Sequence, residues 1–279
     1  MGLALARAEG WYIAVVPFDS DAKYFKTEQA FQLMTFGTSG RAIVWEYRKS
    51  FLEPDEFLIN ATNGARLGTI RRLGPRGASE FHPLALHEAS GRVAFSGRLQ
   101  GGQSPRGLHW AALDFSQREF ISEGRLCDWS PDGNALVYES QDKIWLFDIV
   151  SNSSKVLGPG HDPAWSPNGT WIGYRSPEGH ASLMTVKGVP ISWPLGAHEL
   201  AGPLHWSPDG RFVSFAERTS GIHIPFVTAD YRLLVCRAGD GKCLTVQKFG
   251  SYTGPPNDFH WILGYQNFCG TCMPSQPFN

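Results

Sequence analysis

Short runs in which apolar and polar residues alternate recur along this chain, each bounded by Gly, Pro, Asn, Asp or Ser. A two-residue period puts successive side chains on opposite faces of an extended backbone. The pattern therefore predicts a succession of half-buried β-strands joined by tight turns. Ala135-Leu-Val-Tyr138, Lys143-Ile-Trp-Leu-Phe-Asp-Ile149, Phe212-Val-Ser-Phe215 and Tyr231-Arg-Leu-Leu-Val-Cys236 are examples.

The runs repeat as longer units. Cys127-Asp-Trp-Ser-Pro-Asp-Gly-Asn-Ala-Leu-Val-Tyr138, Pro163-Ala-Trp-Ser-Pro-Asn-Gly-Thr-Trp-Ile-Gly-Tyr174 and Leu204-His-Trp-Ser-Pro-Asp-Gly-Arg-Phe-Val-Ser-Phe215 align without gaps. Their tryptophans, Trp129, Trp165 and Trp206, are 36 and 41 residues apart, close to the roughly 40–45 residues of a four-stranded propeller blade. Pro131, Pro167 and Pro208 preset φ at the first corner of a turn. Gly133, Gly169 and Gly210 supply the positive φ that the return requires. A second hairpin follows each motif, as in Lys143 to Ile149 with Ser154-Lys-Val-Leu157, Ala181 to Lys187 with Val189 to Trp193, and Tyr231 to Cys236 with Cys243 to Val246.

These residues carry a resemblance. Trp-Ser-Pro-Asp/Asn-Gly followed by an alternating strand resembles the TolB-like, or WD40-like, β-propeller repeat, clearly over residues 124 to about 249. Upstream, Ser90-Gly91-Arg-Val-Ala-Phe95 is a degenerate copy with His87 in the place of the Trp, completed by Trp110 to Asp114 and Glu119 to Ile121. Phe31 to Phe36, Ala42 to Trp45, Phe57 to Ile59 and Leu67 to Ile70 form another, with Asn63-Gly64 as a hairpin turn. That accounts for five blades. Trp11 to Val16 and Phe259 to Leu263 are left over at the two ends. Joined, they would complete a hybrid blade and remove exposed sheet edges. The expectation is an all-β chain forming one domain over 1–279, a six-bladed propeller of four-stranded antiparallel blades, with a tail at about 269–279. A five-bladed closure with loose ends is the alternative.

Composition agrees and narrows the partners. Aromatic residues make up 13% of the chain, with 31 Gly and 19 Pro, as frequent chain reversals around bulky rings require. The formal net charge is −1, which argues against nucleic acid as a partner. No apolar run approaches the roughly 18 residues of a membrane span. The start, Met1-Gly-Leu-Ala-Leu-Ala-Arg-Ala, reads as an ordinary N-terminus or as the end of a signal peptide. Of five cysteines, Cys236 and Cys243 flank a turn-rich loop that would set them opposite each other on a hairpin, within disulfide reach.

The search for chemistry returns little. Gly101-Gly102 precedes no helix, and no Gly-X-Ser-X-Gly elbow is present. Cys269-Gly-Thr-Cys272 is half of a zinc site, read as structural or incidental. Ser130, Ser166 and Ser207 belong to the turns. His82, His161, His205 and His260 fall near or on inner strands. Near Asp128 or Asp162 they are weak candidates for a metal or an anion, against the plainer reading that each bonds backbone at a strand end. The resemblance keeps the first reading open, because some TolB-like propellers are similar to oligogalacturonate lyases that use channel-mouth histidines around a metal.

No cofactor and no catalytic set are expected. The resemblance implies a binding role, since TolB is a periplasmic protein that binds partner proteins at its propeller. This sequence holds no stretch matching the additional N-terminal α/β domain of TolB proteins. The expected function is a non-catalytic, monomeric scaffold, periplasmic or secreted, engaging another protein or a small ligand through its loops and channel mouth. Loops 53–56, 98–107, 176–180 and 219–228 are the contact candidates, with Arg106, His109, His223 and Phe226 as anchors. The alternative is a metal-assisted lyase or hydrolase acting on a carbohydrate-type substrate. A third reading, a carbohydrate-binding module, would need exposed tryptophans.

Overall fold

The computed structural model describes residues 2–6, 12–17, 23–26, 34–36, 42–47, 56–61, 66–71, 81–97, 106–113, 116–219, 229–251 and 259–262. All regular elements among them are strands, and no helix there is long and apolar enough to cross a membrane. In chain order the strands are β1 (Gly2–Ala6), β2 (Tyr12–Pro17), β3 (Lys23–Lys26), β4 (Met34–Phe36), β5 (Ala42–Tyr47), β6 (Glu56–Ala61), β7 (Arg66–Arg71) and β8 (Phe81–His87). Next come β9 (Arg92–Gly97), β10 (Gly107–Ala112), β11 (Arg118–Ser122), β12 (Arg125–Trp129), β13 (Ala135–Ser140), β14 (Lys143–Asp148), β15 (Ser153–Pro159) and β16 (His161–Trp165). The last are β17 (Trp171–Arg175), β18 (Ala181–Thr185), β19 (Pro190–Ile191), β20 (Leu200–Trp206), β21 (Phe212–Arg218), β22 (Ala229–Arg237), β23 (Cys243–Ser251) and β24 (Phe259–Ile262).

Among the described residues these strands form six antiparallel sheets of four. Five consist of consecutive strands: β4–β7, β8–β11, β12–β15, β16–β19 and β20–β23. The other has the order β24-β1-β2-β3, so strands from both ends of the chain share it. Ala4 stands opposite His260 and Leu3 opposite Trp261. The sequence pattern assigns one N-terminal strand to this sheet, whereas three are present. The start, Gly2–Ala6, is an inner strand with partners on both sides.

The chain packs as two compact units, one of Met1–Glu123 with Asp258–Asn279, the other Gly124–Asn257. In the first, sheet β8–β11 buries Leu86, Val93, Phe95, Leu108 and Trp110. His87 stands where the repeat has Trp. It is 3% exposed, and its Nδ1 meets the Ser90 hydroxyl at 2.8 Å, closing the β8–β9 turn.

The second unit shows why the three clear repeats fold alike. Ser130 Oγ donates to Asp132 Oδ1 at 2.6 Å and accepts the Ala135 N–H at 2.9 Å, and the Gly133 N–H returns to Ser130 O at 2.9 Å. Ser166, Asn168 and Trp171 repeat the scheme, as do Ser207, Asp209 and Phe212. Gly133, Gly169 and Gly210 have φ of 69°, 73° and 69°, a region costly for side-chain-bearing residues. The serines thus spend their hydroxyls on the turn.

Two apolar clusters hold neighbouring sheets of this unit together. One contains Val137, Ile144, Trp165, Ile172 and Met184; the other contains Leu195, Leu204, Val213, Phe215 and Leu234. Trp129 is 1% and Trp165 8% exposed. Trp206 is half-buried, donates from Nε1 to Ala164 O at 3.3 Å and stacks on Trp193 with ring centres 5.7 Å apart. The motif tryptophans are therefore packing groups. A carbohydrate platform built on them would require them to face water, which the burial of Trp129 and Trp165 does not allow at those two positions.

Candidate functional site

In the Gly124–Asn257 unit, the first strand of each sheet enters beside the loop that joins the second strand to the third. At this end Arg125 pairs with Glu139, His161 with Arg175 and Leu200 with Glu217 in the strand register. Each of the three pairings is followed by a register shift. Leu126 and Asp162 pass through left-handed backbone there, at φ 47° and 51°, which costs about 1–2 kcal/mol per residue. Bulges of this kind re-aim the neighbouring side chains, and here buried carboxylates receive them.

Glu139 is the centre of the first cluster. Its side chain is 2% exposed. Oε1 accepts Arg125 Nη2 at 2.8 Å, Arg125 Nε at 3.2 Å and His161 Nδ1 at 3.2 Å. Oε2 accepts the Asp162 N–H at 3.0 Å, tying one sheet to the next. Burial on its own would push this carboxyl up. Hydrogen bonds from Arg125, the Asp162 N–H and His161 outweigh it and hold Glu139 below the usual range. Asp162 in turn accepts Arg175 Nε at 2.7 Å. Asp142 Oδ1 lies 3.9 Å from His161 Nδ1.

The second cluster belongs to β20–β23. His198 Nδ1 contacts Glu217 Oε1 at 2.8 Å, and Arg232 Nε donates to Glu217 Oε2. The result is three guanidinium groups, each anchored by a buried or nearly buried acid and still partly open to water. Arg125, Arg175 and Arg232 are 68%, 28% and 38% exposed, while Glu139, Asp162 and Glu217 are 10% exposed or less.

No protein-family model matches the chain, and no curated protein matches it in sequence. Solved structures do. TolB from Acinetobacter baumannii superposes with a TM-score of 0.59 at 15% identity, over 93% of this chain and 65% of that one. The putative TolB from Agrobacterium tumefaciens gives 0.58 at 16% identity, over 85% and 87% of the two chains. The chain has a TolB-like propeller fold. A functionally unknown protein from Desulfotomaculum acetoxidans DSM 771 is also similar, with a TM-score of 0.50, 11% identity and coverage of 90% and 80%. The TolB-like chain spans 65% of the length of the Acinetobacter protein.

The structure sorts the residues singled out from the sequence. Arg106 is exposed, immediately before β10 and after the second-to-third-strand loop of its sheet. His109 is not a surface anchor. It is 0% exposed, stacked on Phe95 at 5.2 Å and edge-on to Phe120 at 5.2 Å, with Nε2 against Gly97 O at 3.2 Å. No partner can reach it in the folded sheet. His223, Phe226, Cys269, Cys272 and the tail 269–279 lie outside the described residues. Of the four weak metal candidates, His82 and His260 lie on β8 and β24. His161 joins the Glu139 cluster. His205 lies on β20, with its Nε2 closed off from solvent. Cys236 and Cys243 face each other across β22–β23 and are joined as a disulfide. Glu139, Glu217, Arg125 and His198 were not singled out from the sequence.

Two buried groups beside the motif tryptophans titrate in opposite senses. Burial pushes Asp128 up to about 6, against hydrogen bonds from the Trp165 and Trp129 N–H groups at 2.8 and 2.9 Å. Burial holds His205 down to about 4. As pH falls between about 6 and 4, the folded protein gains stability at Asp128, which takes up its proton before the unfolded chain does. Over the same range it loses stability at His205, which the unfolded chain protonates first. The two effects offset each other. Asp128→Asn leaves only the His205 loss, so its urea stability should fall by about 1 kcal/mol more than that of the wild type between pH 7 and pH 5. Parallel pH profiles for the two proteins would contradict this assignment.

Proposed function

We propose that this chain is a non-catalytic binding scaffold. In this reading its six sheets are the blades of one six-bladed propeller over 1–279, closed by the sheet that both chain ends share. The end bearing the second-to-third-strand loops takes a protein or a small ligand. The observation that carries the reading is the anchoring of Arg125, Arg175 and Arg232 at the same end of three neighbouring sheets. Each guanidinium is held by a buried or nearly buried acid while part of it faces water. Held in this way, arginines lose little freedom on binding and suit carboxylate-bearing partners. Arg106, exposed beside the second-to-third-strand loop of its own sheet, remains a separate candidate anchor. The Cys236–Cys243 disulfide supports an extracytoplasmic location, and the protein acts as a monomer.

The test is a photo-crosslinking residue placed at Glu178, on the loop end, or at Val150, which is 83% exposed at the opposite end. Incubated with extract of the native host, the Glu178 variant should yield discrete adducts and the Val150 variant none. Equal adducts from both, or adducts from Val150 alone, would contradict the assignment of the face.

A second reading, a metal-assisted lyase or hydrolase, has one observation in its favour. Ligand atoms of Glu139, Asp142 and His161 all lie within 4.8 Å of one another. Against it, Glu139 already accepts four hydrogen bonds. Calorimetric titration with Mn2+ should give no saturable heat. Saturable heat that disappears in His161→Ala would favour the enzyme instead.

A further inference from the structure

The Cys236–Cys243 bond is asymmetric in its surroundings. Cys236 is 0% exposed and packs with Leu195, Val213, Phe215 and Leu234. Cys243, opposite it on β23, is exposed. Only one sulfur of the pair is therefore open to an incoming reactant.

That sulfur has a partner positioned on it. His198 Nε2 lies 3.4 Å from Cys243 Sγ. The imidazole packs against Phe215 with ring centres 5.5 Å apart, and its Nδ1 meets Glu217 Oε1 at 2.8 Å. A carboxylate only accepts, so Nδ1 carries a proton, and in the neutral imidazole Nε2 presents its lone pair to the sulfur. Glu217 is fixed in turn by Arg232 Nε. The order is sulfur, imidazole, carboxylate, guanidinium. It is the arrangement that activates a nucleophile through a base held by a third group. Structural packing of the disulfide needs none of it.

We propose that Cys236–Cys243 is a thiol–disulfide exchange site, with Cys243 as the reacting sulfur, His198 as its acid–base partner and a dithiol, small or carried by a protein, as co-reactant. One thiolate of the dithiol attacks Cys243 Sγ. The Cys236–Cys243 bond breaks, and its electron pair goes to Cys236 Sγ, which takes a proton because its apolar surroundings disfavour a thiolate. The second thiol of the dithiol then gives its proton to His198 Nε2 and attacks the reactant's own sulfur in the mixed disulfide, expelling Cys243 as a thiolate that the His198 imidazolium protonates. The dithiol becomes a disulfide and gives up two electrons and two protons; Cys236 and Cys243 each gain one electron and one proton. In the reverse direction His198 Nε2 removes the Cys243 proton and the thiolate attacks an incoming disulfide.

The charged and titratable groups on the elements around Cys243 are His198 and Glu199 before β20, His205 on β20, Asp209 and Arg211 before β21, Glu217 and Arg218 on β21, Asp230, Tyr231, Arg232 and Arg237 on β22, Asp240 and Lys242 in the β22–β23 turn, and Lys248 on β23. Arg237 is paired with Asp240 at 2.8 Å. Of these, His198 reaches the sulfur.

The test uses the full chain reduced with dithiothreitol and desalted without oxygen. Alkylation of Cys243 by iodoacetamide is followed against pH by peptide mass mapping, with Cys127 as an internal comparison. Burial, then the Asp128 charge, raises that thiol well above its ordinary value, so it should stay unlabelled. For Cys243 the wild-type midpoint should fall about one pH unit or more below the roughly 8.5 of a free cysteine. His198→Gln should restore the ordinary midpoint and slow labelling at pH 7 about tenfold, and Glu217→Gln should move it part of the way. The wild-type profile is decisive on its own should a variant fail to fold. An ordinary midpoint in the wild type, or a disulfide that dithiothreitol leaves intact in the folded protein, overturns the proposal. So does stoichiometric Zn2+ retention by the reduced protein that protects Cys243 and requires His198, which would make the site a metal centre.

Discussion

Removal of residues 1–20 should leave a protein without a cooperative unfolding transition. The deletion takes out β1 and β2, and β1 is the strand that joins β24 to the rest of its sheet. β24 and β3 would each be left without a partner strand, exposing unpaired backbone groups and apolar side chains together. Domains are stable by only about 5–15 kcal/mol, and losing half of a four-stranded sheet exceeds what that margin absorbs. Thermal unfolding followed by circular dichroism checks this. An unchanged melting temperature would show that the chain ends do not share a sheet.

The second large effect is expected at Trp129. It is 1% exposed and ranks first by volume among the fully buried side chains of the described residues. Trp129→Ala should cost about 3–5 kcal/mol in urea unfolding, because a large cavity opens where the surrounding strands cannot collapse. Trp206, half-buried beside Trp193, should cost distinctly less on the same change. Equal losses at the two positions would mean that the repeat tryptophans are equivalent packing groups, contrary to their different burial.

The repeats were legible because their information is local. Within a few residues, Ser130, Asp132 and Gly133 contain every partner the turn needs, and the same holds at Ser166 and Ser207. Strand β1 was harder to read, since Gly2-Leu-Ala-Leu-Ala6 carries small residues and no β-branched ones. His109 was misassigned for a different reason. Leu108, His109 and Trp110 are all buried, so both faces of β10 are covered and alternation cannot separate an inward from an outward position.

The candidate site was illegible from the sequence because its contacts are long-range. Glu139 meets Arg125 from 14 residues away and His161 from 22; His198 meets Glu217 from 19 and Cys243 from 45. Nothing in the spacing of these residues points to one another. A charged residue at the end of an otherwise alternating strand, as at Glu139 and Glu217, is the one signal that was available. It marks a buried acid in need of partners without naming them.

The proposed closure of the propeller requires that one sheet unite the two ends of the chain. The most direct measurement is a double variant, Ala4→Cys with His260→Cys, at positions that stand opposite each other in the register. Directly opposed residues lie within disulfide reach. Under mild oxidation of the native protein, mass mapping should find the two introduced thiols linked to each other, and denaturation before oxidation should abolish the link. If both thiols instead remain free and are rapidly alkylated while the protein stays folded, the chain ends do not meet, and the proposed closure of the propeller must be abandoned.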